Sequence, residues 1–166
     1  MKYAGLKEND VVNGEGICVS FFVQGCPHRC PGCFNPETWD FNGGLELPED
    51  YKQKIYNALT TNGVKRNFSI LGGEPLCEEN KMLTYEIISY VRNWLPNIKI
   101  YLWSGYRFDQ LKDKNDPIIE SILEQIDYLI DGKFQKELKD FSLKLRGSSN
   151  QHIWKKEENV WYLVDN

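Results

Sequence analysis

The chain has 166 residues, of which 41% are hydrophobic, and a formal net charge of −4. This length suffices for one buried core, so we expect a single domain over residues 1–166. The small charge, with no Lys/Arg block among aromatic residues, argues against nucleic-acid binding. The longest apolar run, residues 17–23, is too short to span a membrane. The first ten residues contain no apolar signal segment, so we expect a cytoplasmic protein.

Strand and helix patterns alternate along the chain. Runs of branched and aromatic residues predict strands at 17–23, 68–71, 98–103, 128–130, 143–145 and 160–164. Helical spacing and stop signals predict helices at 48–61, at 83–95 before Pro96, and from Asp116 to Ile126. This alternation predicts an α/β fold with a mainly parallel sheet. Ligands are then expected at the carboxyl ends of the strands, where glycine often follows the apolar run.

Three of the five cysteines are close together directly after the first predicted strand. Cys26, Cys30 and Cys33 have the spacing C-x3-C-x2-C. An odd cysteine count with such a cluster is typical of metal binding rather than of disulfides. Soft thiolates on one short loop suit iron–sulfur or zinc. Three thiolates on a four-iron cluster leave one iron open, which is typical of a reactive site.

The spacing alone also allows a structural zinc site, with His28 or Cys77 as the fourth ligand. His28 lies between two of the cysteines, where reaching the same ion would strain a short loop. A second CxxC pair, as in zinc ribbons, is missing from the sequence. Otherwise we expect Cys18 to be a small apolar strand residue and Cys77 a loop thiol. We expect His28 to lie on the solvent side of its loop, and His152 to be a strand residue without an assigned role.

A second motif, Gly72-Gly73-Glu74, follows the second predicted strand. Two glycines allow the backbone to approach a ligand closely. Glu74 or nearby carbonyls can accept hydrogen bonds from an ammonium group. Taken alone, the motif is equally typical of a strand-to-helix turn.

Together, the two motifs resemble those of the radical S-adenosylmethionine superfamily. Within it, the chain is similar to the glycyl-radical activases of anaerobic ribonucleoside-triphosphate reductase. The similarity lies in five stretches of the sequence, namely 13–16 with 20–26, 33–40, 101–106, 131–134 and 146–151. Glu15 and Cys18 stand where the family usually has proline and arginine.

The resemblance implies a [4Fe–4S] cluster on Cys26, Cys30 and Cys33, as both the metal ligands and the catalytic centre, with S-adenosylmethionine chelating the fourth iron. It further implies a set of cofactor contacts. Gly32, Cys33 and Phe34 would border the adenine or methionine part, Gly72, Gly73 and Glu74 the amino group, and Ser104 the ribose or carboxylate. Asp131 and Asn150 are weaker candidates, because an aspartate before Gly132 is equally typical of a turn cap. Trp39 would shield the cluster.

The resemblance also implies a shortened, open partial (β/α) barrel and a protein partner. A one-electron donor such as a flavodoxin would reduce the cluster. The resulting 5′-deoxyadenosyl radical would take hydrogen from a glycine of the reductase catalytic subunit. The alternatives are a 7-carboxy-7-deazaguanine synthase, another glycyl-radical activase, and a zinc or iron–sulfur binding module without turnover.

Overall fold

The computed structural model describes residues 1–164, while Asp165 and Asn166, the end of the predicted domain, lie outside the described residues. Eight strands form one sheet, and they are β1 (Lys2–Asp10), β2 (Cys18–Val23), β3 (Leu45–Glu46), β4 (Asn67–Gly72), β5 (Ile100–Trp103), β6 (Tyr128–Asp131), β7 (His152–Glu157) and β8 (Val160–Val164). The helices are α1 (Tyr51–Thr60), α2 (Lys81–Trp94), α3 (Phe108–Asp113) and α4 (Pro117–Gln125). In space the strands follow the order β3-β1-β2-β4-β5-β6-β7-β8.

The α/β class is confirmed, but the sheet is not mainly parallel. The β2–β4, β4–β5 and β5–β6 pairs are parallel, and helices lie in the crossovers between them. The pairs β1–β2, β1–β3, β6–β7 and β7–β8 are antiparallel, so four of seven pairings contradict the expectation. The antiparallel pairs lie at the two edges of the sheet, on either side of a parallel centre formed by β2, β4, β5 and β6. Glu158 and Asn159, with φ of 52° and 64°, form the tight turn that joins β7 to β8.

The helices cover one face of the sheet, and an aromatic layer lies on the other. Alternate residues of β2, namely Val19, Phe21 and Val23, belong to the main core with the apolar faces of α1, α2 and α4. The alternation is the period of two expected of a strand. On the opposite face, the rings of Tyr101 and Tyr128 stack with their centroids 4.5 Å apart. The parallel strand ends therefore stand between two packed layers, which hold them rigidly.

All three predicted helices are confirmed, and α1 starts at Tyr51, three residues later than expected. Asp116 caps α4, because its side chain accepts from the N–H groups of Ile118 and Ile119. The prediction of a strand at 143–145 is wrong, since these residues form a bend in which Leu145 has a φ of 63°. Among residues 1–164, no helix is long and apolar enough to cross a bilayer.

Candidate functional site

The predicted site residues follow the parallel strands at one edge of the sheet. The cysteine loop, defined as residues 25–33, comes after β2, and the Gly72–Glu74 turn ends β4. Ser104 comes directly after β5, and Gly132 directly after β6. Because neighbouring parallel strands end at the same edge, these four segments lie side by side.

The cysteine loop is fixed at its start, and its three cysteines are not in disulfides. Gly25 N–H donates to the carbonyl of Thr38 at 2.7 Å, and Cys26 N–H to that of Trp39 at 3.2 Å. Cys26, Cys30 and Cys33 are free and partly exposed. Burial raises the pKa of the Cys26 thiol to about 11, and burial also raises that of Cys30. A metal bound here must therefore displace protons from these thiols.

The Glu74 carboxylate joins three segments of the site. It is 1% exposed and accepts hydrogen bonds on both oxygens. His28 Nε2 and Gly105 N–H lie 2.7 Å from Oε1, while Leu76 N–H and Ser104 Oγ–H lie 2.8 Å and 2.9 Å from Oε2. Four donors match the acceptor capacity of a carboxylate. Glu74 thus connects the ends of β4 and β5 to the cysteine loop. Ser104 is buried and contacts this carboxylate.

The expectation that His28 faces solvent is wrong. Its side chain is 6% exposed and forms the 2.7 Å contact with Glu74. Its ring packs edge-on against Tyr106, with the centroids 4.6 Å apart. A polar side chain is buried at low cost when its hydrogen bond is satisfied, as it is here. The sequence clue was its place midway between Cys26 and Cys30.

The two glycines of the turn permit a close approach between β2 and β4. A Cβ on Gly73 would lie 2.3 Å from the carbonyl oxygen of Gly25, and Gly72 has a φ of 112°. Glu74 N–H donates to that same carbonyl at 2.9 Å, and Gly73 N–H to Val23 O at 3.0 Å. Both glycines are therefore required by the local backbone.

Asn80 was not identified as a site residue from the sequence, although its side chain also connects the ends of β2 and β4. Its side-chain amide donates to the carbonyls of Gln24, Gly25 and Glu74, each at 3.1 Å. Asn80 directly precedes α2, so its residue type indicates only a helix cap. The amide instead connects the start of the cysteine loop to the Gly72–Glu74 turn.

The C-terminal segment, defined as residues 132–151, packs against the cysteine loop. The rings of Phe34 and Phe134 lie 5.0 Å apart, and a Cβ on Gly147 would lie 2.6 Å from the Phe34 ring. Gln151 braces this segment, since its side chain accepts from Gly147 N–H at 2.8 Å and donates to Gly132 O at 2.9 Å. The predicted Arg146–Gln151 signature thereby reaches Phe34, the residue that follows Cys33.

The Asp131 side chain joins helix α3 to strand β7 rather than capping the turn at Gly132. Its buried carboxylate accepts from Phe108 N–H at 2.7 Å, at the start of α3, and from Trp154 Nε1 at 3.1 Å on β7. The ring of His152 lies 3.3 Å from the same carboxylate. Asn150 donates to Lys133 O at 2.8 Å.

The residues at the site fit an iron–sulfur cluster with a polar cofactor. No group of three or more His, Cys, Asp or Glu in residues 1–164 is arranged around a single metal ion. Soft thiols dominate the donor set, as such clusters require. Within the same described range, the buried polar atoms without a hydrogen-bond partner include Trp39 Nε1, Arg146 Nε and Asn150 Oδ1. These atoms belong to segments next to the cysteine loop, and buried orphans of this kind fit a further bound group.

The other two cysteines are buried outside the loop. Cys18 is fully buried on β2, and its thiol donates to Glu15 O at 3.6 Å. Cys77 is also buried, and its thiol donates to Glu74 O at 3.3 Å. Burial raises the pKa of Cys77 to about 12. Both behave as small core residues.

Comparison with known proteins supports a cluster-binding domain. The family model for the 4Fe-4S single cluster domain matches residues 12–154. The chain is 37% identical over 156 residues to an anaerobic ribonucleoside-triphosphate reductase-activating protein of Pasteurella multocida, covering 93% of this chain and 98% of the relative. Proteins of the same name from Escherichia coli K12 and Enterobacteria phage T4 are 38% and 33% identical, over 92% and 97% of this chain and 97% and 98% of theirs.

Proposed function

Because the chain belongs to the family of anaerobic ribonucleoside-triphosphate reductase-activating proteins, with their 4Fe-4S single cluster domain, we propose that it is a glycyl-radical activase. It acts as one radical S-adenosylmethionine domain over residues 1–166, of which the central parallel strands form an open partial barrel. One observation carries the proposal. The loop that carries the three cysteines contacts the Gly72–Glu74 turn through His28, and Gly32 and the adjacent Phe34 lie beside Phe134 of the C-terminal segment.

In this proposal Cys26, Cys30 and Cys33 hold a [4Fe–4S] cluster through their thiolates. When bound there, the cluster and S-adenosylmethionine would supply reductive cleavage of a carbon–sulfur bond as the source of a radical. The protein's part is to bind the cofactor, to orient it and to exclude water from the site. The carbonyls of Gly72 and Gly73 accept from the cofactor ammonium, because all four acceptor positions of Glu74 are already used.

The remaining residues near the loop enclose the cofactor. Gly32 has a φ of 76°, which favours glycine, and it places the loop beside the Phe134 ring. Phe34 and Phe134 pack together and exclude water from the adenine side. Trp39, whose carbonyl accepts the N–H of Cys26, shields the cluster. Ser104 acts through Glu74 rather than by direct contact.

The partner is the catalytic subunit of an anaerobic ribonucleoside-triphosphate reductase, which gives up hydrogen from a backbone glycine. A flavodoxin-type carrier would supply the one electron that this chemistry needs. We place this chemistry in the cytoplasm, where thiols stay reduced. No general base is needed, since a hydrogen atom rather than a proton is transferred.

The test is an anaerobic mixture of this protein, reductase catalytic subunit, S-adenosylmethionine and reductant, followed by electron paramagnetic resonance. We expect a persistent doublet on the reductase, at most one radical per active partner site. The matched control replaces the acceptor glycine of the reductase by alanine and should remove the doublet. A doublet unchanged by that replacement, or no doublet with intact reductase, would reject the activase function. If the protein alone still cleaved the cofactor, the remaining function would be that of a radical enzyme acting on a small molecule.

A further inference from the structure

His28 makes a long-range connection in the middle of the cysteine loop. Its Nε2 lies 2.7 Å from Glu74 Oε1, and 46 positions separate the two residues in sequence. Both side chains are more than nine-tenths buried. A hydrogen bond to a charged carboxylate is stronger than a neutral one, and more so when buried. The loop is thus attached to the Gly72–Glu74 turn between two of its cysteines.

A glycine after β5 makes room for this imidazole. A Cβ on Gly105 would lie 2.5 Å from His28 Cδ2 and 2.6 Å from its Nε2. Gly105 N–H also donates to the same carboxylate oxygen that His28 contacts. The imidazole therefore fits into a space bounded by the β5 end, Tyr106 and Glu74.

We infer that His28 is a positioning residue, which fixes Cys26 and Cys30 relative to the carbonyls of Gly72 and Gly73. It lies two residues from each of these cysteines, so its side chain controls the orientation of the peptide between them. This role rests on the proposed function, in which cluster and turn hold opposite sides of one methionine group. Without the His28–Glu74 bond the loop has more orientations, and only a fraction of them bind the cofactor.

The experiment compares His28→Leu, His28→Gln and Gly105→Ala in the anaerobically reconstituted protein. Leucine removes the donor and glutamine retains an N–H donor, while alanine at Gly105 displaces the imidazole without changing it. Iron and sulfide content, S-adenosylmethionine affinity by equilibrium dialysis on the oxidised cluster, and the paramagnetic spectrum of the reduced cluster are measured. The matched control is His152→Leu, which also removes a histidine–carboxylate contact.

We expect His28→Leu to retain the iron of wild type, because all three thiols remain. Its affinity for the cofactor should fall roughly ten-fold to a hundred-fold, the range for losing a hydrogen bond to a charged group. His28→Gln should recover most of this loss, Gly105→Ala should resemble His28→Leu, and His152→Leu should match wild type. The double variant His28→Leu/Gly105→Ala should be no worse than His28→Leu, since both changes break one contact.

Wild-type affinity and an unchanged cofactor-induced spectral shift in His28→Leu would overturn the positioning role alone. Additive losses in the double variant would overturn it as well. Loss of the cluster itself in both His28→Leu and Gly105→Ala would show a role in holding iron rather than in positioning. A wild-type protein that carries the cluster but binds no S-adenosylmethionine would overturn the proposed function, and this role with it.

Discussion

Replacing Gly73 by alanine tests the contact between the ends of β2 and β4. The added Cβ would lie 2.3 Å from Gly25 O and 2.8 Å from Gly25 C, against an ordinary contact of 3.4 Å or more. These are backbone atoms, which cannot rotate away. The φ of Gly73 lies outside the left-handed region, so alanine is strained by its surroundings rather than by its own backbone.

The expected cost follows from what must move. Forcing one extra methyl group into a packed site costs about 1–3 kcal/mol. Gly25 O accepts from Glu74 N–H at 2.9 Å and Asn80 Nδ2 at 3.1 Å, and moving it weakens both bonds. Each is worth about 1 kcal/mol, so the free energy of unfolding should fall by about 3–5 kcal/mol in total. For a chain of this size, that corresponds to a melting temperature lower by roughly 6–20 °C.

The assay is thermal unfolding followed by circular dichroism on iron-free protein, because a bound cluster would add its own stabilisation. Gly5→Ala is the matched control, since a Cβ at Gly5 meets nothing within 4 Å. Its stability should change by less than about 0.5 kcal/mol. If the Gly73→Ala protein melts together with the Gly5→Ala protein, the steric reasoning is refuted.

Three further predictions concern the cluster, the partner and helix α4. Cys30→Ala should lose the reconstituted cluster, measured as iron and sulfide, whereas Cys77→Ala should retain it because that thiol is buried outside the loop. Phe141→Ala should weaken binding to the reductase catalytic subunit about ten-fold in calorimetric titration, because this ring is 84% exposed in the C-terminal segment. The hydrogen bond from Lys81 lowers the pKa of Asp116, so its carboxylate stabilises the fold above the ordinary aspartate pKa. Asp116→Asn should therefore cost about 0.5–1 kcal/mol in urea unfolding at neutral pH. That difference should vanish as the pH falls through the lowered pKa.

Each of these predictions has a contrary result. Full iron content in Cys30→Ala would end the assignment of the cluster ligands. Trp94→Ala removes a larger exposed ring at the C-terminal end of α2, so equal weakening by both ring variants would exclude a specific docking role for Phe141. A cost of Asp116→Asn that persists unchanged into acid would show that the charge of the carboxylate contributes nothing.

The centre of the fold was predictable from the sequence, and its edges were not. Strands β2, β4, β5 and β6 are buried on both faces, so they read as continuous apolar runs. Strand β1 contains four charged residues and is half exposed, so the sequence has no comparable signal for it. Helix α3 has six residues, too few to show a period. Residues 143–145 resemble a strand because two leucines alternate with a lysine, but Leu145 instead packs against the aromatic layer, and Trp103 Nε1 donates to its carbonyl at 2.7 Å.

Within the site, the cysteines and the glycine turn were predictable because their spacing and residue types are local signals. Their proximity followed from the common edge of parallel strands. The bonds from His28 to Glu74 and from Asn80 to Gln24 and Gly25 were not predictable, since they join residues 46 to 56 positions apart. Side-chain direction in a loop depends on what the completed fold places opposite it. Neither residue type, taken alone, differs from an ordinary loop or cap residue.

The contact between Phe34 and Phe134 joins residues 100 positions apart, so the ribosome makes one ring well before the other. Ribosomes add about 5–20 residues per second, so Phe134 is made roughly 5–20 s after Phe34. During that interval the three thiols are present on the nascent chain, and the Phe134 ring that lies beside Gly32 is not. Iron delivered to the growing chain therefore meets the cysteine loop before the C-terminal segment exists, whereas in the finished protein that segment already flanks the partly exposed thiols.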